Sequence, residues 1–187
     1  MLESKPVRFL EGNRVYLRPL SLDDTELYFE TLYHPQTRML TGTQKVFTKE
    51  QIHRYIEGKA SDSTSVLLLI ALRETDEVIG DIALQSIDGM NRSANIRIAI
   101  NQDQHQGKGY GQEAMKLMLD YGFGILNLHR VELNVFAFNE RAASVYEKLG
   151  FKQEGVQREA LYYNHQYHDS ILMSILEDEY RKLHINN

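Results

Sequence analysis

The chain has 187 residues, 42% of them hydrophobic and including 11 Tyr and 7 Phe, enough apolar mass for one ordinary domain and too much for intrinsic disorder. Its 21 basic and 26 acidic residues give a net charge of −5, without the basic excess of a non-specific nucleic-acid or anionic-lipid binder. The absence of cysteine excludes disulfides, thiolate metal sites and cysteine nucleophiles.

The longest apolar run, at 66–72, is far shorter than the about 20 residues of a membrane span. The first ten residues lack the apolar stretch of a signal peptide. We expect one domain over residues 1–187 with its core at about 12–176. We also expect a cytoplasmic location, with neither membrane nor nucleic acid as partner.

Residues 15–18, before Pro19, read as a strand. Ser21 offers an N-cap, and Asp23, Asp24 and Glu26 suit the positive end of a helix reaching about Tyr33. Thr48 and Gln51 make a capping box for a second helix, to about Lys59. Residues 65–72 read as a buried strand that turns through 73–77 into a partner at 78–85. Residues 93–100 alternate, with Ile96, Ile98 and Ile100 on one face. After a polar, glycine-rich stretch at 101–109, apolar residues at helical spacing predict a helix over 111–126. Residues 131–136 read as a strand, and Asn139 caps a short helix that Gly150 closes. The last two strands are 151–157 and 171–176, with a polar aromatic stretch between them. This order predicts an α/β (α+β) fold, a mixed sheet with helices on its faces.

The chemistry concentrates in Gln106-Gly107-Lys108-Gly109-Tyr110-Gly111, between a strand and a helix start. Glycines let the backbone approach a ligand, the first helical amides lack internal partners, and the dipole favours an anion. A tight connection with no ligand is the plain alternative. A Walker loop is excluded because Gly109 follows Lys108, and a dinucleotide fingerprint because Gln112 stands where glycine is needed. What remains is Gln-x-x-Gly-x-Gly at Gln106, Gly109 and Gly111.

That motif resembles the acetyl-CoA pyrophosphate signature of the GCN5-related N-acetyltransferases (GNAT). Residues 139–151, running from Asn139 through Tyr146 to Gly150 and Phe151, resemble the family's second motif at the expected distance. The likeness is greatest to the branch of the ribosomal-protein alanine and serine N-acetyltransferases, and spans about 12–176. It implies the GNAT fold, whose central sheet is mixed and mostly antiparallel, and acetyl-CoA as co-substrate. It implies that backbone amides from Gln106 to Gln112 cradle the pyrophosphate, and that Ile98, Ala99 and Ile100 pair with the pantetheine arm. It further implies that Asn139 holds the pantetheine or the reacting region, and that Tyr146 protonates the departing thiolate. The two lie seven residues apart, two helical turns, so both can face one cleft. Tyr146 as a packed aromatic and Asn139 as a mere cap stay open beside these roles, as do solvated and phosphate-bound readings of Lys108 and Arg141.

The general base is the departure from the pattern. Relatives often carry a Glu-Ile-Gly context before the loop; here Asn95 holds the carboxylate position and Arg97 the glycine position. Glu132, Asp81 and His105 are candidates, beside a water relay or an amine that arrives neutral. His165 and His168 stand three apart without a convincing third ligand, so no metal is expected. The stretch 158–169 resembles the family's acceptor-lining segment, with His165 where glycine is usual. The expected activity is acetyl transfer to a primary amine by direct attack in a ternary complex. The acceptor would be a protein N-terminus, a polyamine or another small amine. A non-catalytic acyl-CoA sensor is the alternative, and a homodimer is possible.

Overall fold

A computed structural model describes residues 6–101 and 103–185. In chain order the elements are β1 (Leu10–Glu11), β2 (Val15–Pro19), α1 (Thr25–Leu32), α2 (Pro35–Thr41), α3 (Lys49–Lys59), β3 (Val66–Leu72), β4 (Val78–Asp88) and β5 (Ser93–Ile100). They continue with α4 (Tyr110–Gly124), β6 (Arg130–Phe136), α5 (Glu140–Leu149), β7 (Lys152–Tyr163), β8 (Gln166–Leu176) and α6 (Glu177–His184). The strands form one sheet in the order β1-β2-β3-β4-β5-β6-β8-β7. Every neighbouring pair is antiparallel except β5 and β6, which run parallel. Among the described residues no helix is long and apolar enough to cross a membrane.

The sheet separates two cores. On one face Ile82, Leu84, Ile96, Val131 and Leu133 meet α4, which contributes Met115, Met118 and Leu119, all three fully buried. Their i, i+3, i+4 spacing puts them on one helical stripe, and each such burial stabilises by about 1.5–3 kcal/mol. On the other face Leu67, Leu69 and Ala83 meet Tyr28 of α1 and Ile52 and Ile56 of α3.

Besides the short edge strand β1, which was not expected either, three features differ from the sequence reading. Helix α2 was not expected, although Pro35 sits at its first turn and Gly42 caps it in the left-handed conformation at φ 66°. Residues 177–184 form α6 rather than a tail. Acidic Glu177, Asp178 and Glu179 open that helix, and Arg181, Lys182 and His184 close it, matching the dipole. The polar aromatic stretch is itself strand: β7 and β8 extend toward each other and join at Asn164 and His165, with φ of 50° and 64°. Paired positive φ is what a two-residue turn of the primed type requires, and Asn at the first position favours it.

Candidate functional site

The sheet forks between β5 and β6. Their parallel pairing covers only residues 93–95 against residues 130–132. Beyond it β5 pairs with β4 alone, up to Gly80 opposite Ile100. The Asn101 amide donates to Ile79 O at 2.9 Å, so in this antiparallel ladder the odd residues of β5 bond β4. The backbone groups of Ile98 and Ile100, with the carbonyl of Ile96 where the pairing to β6 ends, therefore point into the fork, as the open edge of a sheet does toward an added strand. Ala99, grouped with Ile98 and Ile100 in the sequence reading, pairs with Asp81 and directs its backbone at β4. Ile96 takes its place on the open edge; the alternation already visible in the sequence carried that signal.

The glycine-rich loop closes the far end of this edge. Gly107 and Gly109 lie at φ 73° and 83°, where a side chain is strained, and Gly109 leads directly into α4. The first intrahelical bond runs from Glu113 N to Gly109 O at 3.1 Å. The amides of Tyr110, Gly111 and Gln112 in the first turn thus have no helical acceptor and remain for an anion. Gln106 ties the loop down, donating from Nε2 to Ile100 O and to Gln36 Oε1, both at 3.3 Å. Lys108 is exposed, and its carbonyl accepts from Arg14 Nη1 at 2.7 Å. Arg14 also bonds Glu113 at 3.2 Å and lies 5.0 Å over the Tyr110 ring. Arg14 and Gln36 escape a sequence reading because each meets the loop from far along the chain.

Helix α5 forms the other arm of the fork. Asn139 is its N-cap, with Oδ1 accepting from Ala142 N at 3.2 Å, which leaves the side-chain Nδ2 for a ligand. Tyr146 packs on the α4 side of the sheet, its ring 6.0 Å from Phe151. Burial alone pushes its hydroxyl up to about 12, so it stays protonated at neutral pH and can act as a proton donor. Arg141, in the first turn of α5, brings Nη2 to 3.4 Å from where a Gly107 Cβ would sit, so the two sequence motifs meet across the fork.

The opposite sheet face carries Asn95 and Arg97 of β5 beside Glu132, Asn134 and Phe136 of β6, because alternate residues of both strands point away from α4. Asn95 and Glu132 are direct lateral neighbours. Glu132 is held by Arg130 at 2.9 Å. Asp81 is buried and bonded to Arg97 at 2.6 Å, and Arg97 also donates to the Tyr28 hydroxyl at 3.2 Å. His105 is buried against Glu77 at 3.2 Å. Of the three candidate bases, then, each has a charged partner, and only Glu132 lies on β6 at the fork. The walls of this face are the α2–α3 connection and the β7–β8 hairpin, joined by Gln44 Nε2 donating to Tyr162 O at 2.7 Å.

The sheet thus forks around an open strand edge, with an amide cradle at one end and a half-buried tyrosine opposite. The chain belongs to the acetyltransferase (GNAT) domain family, whose model matches residues 14–152. It is 39% identical over 108 residues to spermidine N(1)-acetyltransferase of Escherichia coli K12, and spans 58% of that relative's length. It is 29% identical over 174 residues to the uncharacterized N-acetyltransferase p20 of Bacillus licheniformis, covering 91% of this chain and 97% of that one. Among solved structures, spermidine N-acetyltransferase from Vibrio cholerae in complex with CoA and spermine superposes with a TM-score of 0.85 at 27% identity. That match covers 90% of this chain and 99% of the other. A dodecameric structure of the Vibrio cholerae enzyme matches with a TM-score of 0.80 at 26% identity.

Proposed function

We propose that the protein transfers the acetyl group of acetyl-CoA to a primary amine by direct attack in a ternary complex. The observation that carries this is the fork itself, an unpaired β5 edge running from the amide cradle to the apex beside Asn95. The CoA-bound relative supports acetyl-CoA as co-substrate, and the spermidine-acetylating relatives support a polyamine amine as an acceptor. In this reading the amides of residues 106–112 hold the pyrophosphate, and the edge groups of Ile96, Ile98 and Ile100 pair with the pantetheine. The thioester then lies near the apex, and Asn139 Nδ2 steadies the reacting region. The amine nitrogen attacks the carbonyl carbon, the C–S bond breaks, and the thiolate takes the Tyr146 proton, which solvent replaces. Glu132 receives the proton lost by the amine, through water. Because Arg130 already holds that carboxylate, a sensor that binds acetyl-CoA without turnover is the second reading, favoured by Asn95 in the carboxylate position.

A cytoplasmic location fits the cysteine-free composition, and the dodecameric relative supports assembly of several copies, a dimer being the smallest. The test is acetyl-CoA-dependent thiol release with polyamines, short peptides and aminoglycosides, with Tyr146→Phe as control. Turnover lost in the variant is expected. Acetyl-CoA binding with no turnover on any amine would favour the sensor.

A further inference from the structure

Resting on the acetyl-transfer reading, we propose that Thr37 of α2 is a further binding residue for the acyl donor. Its hydroxyl bonds the pantoyl half of the pantetheine arm. Among the described residues, three buried side-chain polar atoms have no hydrogen-bond partner: His34 Nδ1, Thr37 Oγ1 and Asn101 Oδ1. They are not scattered. His34 caps α2, Thr37 lies within it, and Asn101 directly follows β5, the strand α2 packs against. A buried polar group left unpaired costs about 1–3 kcal/mol, so three at one corner mark a place where a ligand supplies the partners.

Helix α2 is a crossbar over the fork. At its first turn Gln36 Oε1 accepts from Gln106 Nε2 at 3.3 Å, and the same nitrogen donates to Ile100 O at 3.3 Å. Just past its last residue, Gly42 meets the other arm, where a Cβ would lie 2.8 Å from the Phe136 ring. Ile100 stands five residues beyond Asn95, and Phe136 four beyond Glu132, the pair at the apex. The crossbar therefore joins the two arms at one level, about 13–17 Å from the apex. Thr37 is only 6% exposed, whereas Pro35, Met39 and Thr41 are exposed, so the helix turns Thr37 toward the sheet. Helix α2 does not need that hydroxyl. The Thr37 carbonyl accepts from Thr41 Oγ1 at 2.7 Å, and the corner is tied by Asn101 Nδ2 donating to Thr31 Oγ1 at 3.2 Å. An arm laid along β5 from the amide cradle to the apex passes beneath the crossbar. With the thioester at the apex, the level of Ile100 receives the phosphate end of the arm, where the pantoyl amide and hydroxyl lie. A threonine hydroxyl both donates and accepts, which suits either group.

The experiment titrates CoA, acetyl-CoA and 3′-phospho-ADP, the nucleotide end of CoA without its pantetheine, into wild type, Thr37→Val and Thr37→Ser. Ligand-free melts of each protein run beside the calorimetry. Valine keeps the shape and removes the hydroxyl; serine keeps the hydroxyl. Thr37→Val is expected to raise the Kd for CoA and acetyl-CoA about 3- to 10-fold, the worth of one neutral hydrogen bond. It should leave the nucleotide Kd unchanged and the ligand-free Tm equal or higher, because nothing in the free chain pairs with the hydroxyl. Thr37→Ser should bind CoA nearly as the wild type does. An unchanged acetyl-CoA Kd in Thr37→Val overturns the inference and leaves acetyl transfer standing, whether the ligand-free Tm falls or the amine KM rises instead. An equal loss for 3′-phospho-ADP also overturns it, placing the effect in the loop rather than on the arm. Acetyl-CoA binding without turnover of any amine overturns the transfer reading alone, and a wild type that does not bind acetyl-CoA overturns both.

Discussion

Replacing Gly111 by alanine separates two reasons for a glycine in the loop, the fold and the ligand. Gly111 is the second residue of α4 and, unlike Gly107 and Gly109, is not held in the left-handed region. A Cβ there would lie 3.6 Å from Ile100 Cγ1 and 3.8 Å from Ile98 Cδ1, both ordinary contacts. The folded chain has room for the methyl, and alanine is the better helix former. In this first turn we expect a gain of about 0.5 kcal/mol, the low end of the helix-interior range, or about 1–2 °C in Tm. The same methyl lies beside the open β5 edge and the unpaired first-turn amides, where the ligand must come close. Loss of one charge-assisted hydrogen bond to phosphate, about 1.5–2.5 kcal/mol, raises the Kd for acetyl-CoA roughly 10- to 70-fold. Calorimetric titration and thermal melts with and without acetyl-CoA read both effects. The ligand-free Tm should rise while the increment from a fixed acetyl-CoA concentration shrinks. An unchanged Kd beside a raised Tm would refute the pyrophosphate assignment at this position, and a lowered ligand-free Tm would place the need for glycine inside the fold.

Tyr146→Phe should leave acetyl-CoA affinity within a few-fold and lower kcat by about 100-fold or more, the usual worth of a positioned acid; unchanged kcat would remove that role. Because burial holds this hydroxyl at about 12, the wild-type rate should show no loss from its ionisation below about pH 11, which a kcat–pH profile tests. Gly109→Ala meets both φ 83° and Arg14 Nη2 at 2.9 Å, so about 1–2 kcal/mol of stability should go, roughly 2–8 °C in Tm by calorimetry. Asp81→Asn removes the partner of Arg97 inside the sheet. About 3 kcal/mol should be lost, and a second change, Arg97→Met, should recover most of it in denaturant melts. Bonds from Arg130 and then Ser174 hold Glu154 down to about 2, below its unfolded value of about 4.3. Its stabilisation is therefore full above about pH 4.5 and lost as pH falls toward 2; Glu154→Gln should flatten the stability–pH curve in that window.

The loop and the second motif were legible because their chemistry is local. Spacing within Gln106, Gly109 and Gly111 fixes which amides are free, and the seven residues from Asn139 to Tyr146 fix a shared helix face. The elements missed were local too, and their signals were present: Pro35 and Gly42 bracket α2, and the charge order of residues 177–184 matches a helix dipole. The phase of β5 was hidden for another reason. Which residues of β5 face the fork depends on the ladder with β4, and a single bond, Asn101 N to Ile79 O, sets that phase for the whole strand. Acceptor selection lies deeper still. Arg97, Asp81, Arg130, Glu132 and Glu154 are all visible as letters, yet their net effect appears only once strand register pairs residues 16 and 24 positions apart. Taken unpaired, Arg97 argues for an anionic acceptor and Glu132 for a free base; paired, the first is neutral and the second belongs to a trio with one spare negative charge at the apex. A change that shifts the pairing, such as Glu154→Gln, should therefore alter the preference among amines without touching the loop, the edge or Tyr146. With the trio reduced to a neutral pair, the pull on a leading ammonium weakens and KM for a simple primary amine such as butylamine rises a few-fold. An unchanged KM would place the ammonium elsewhere than beside Glu132.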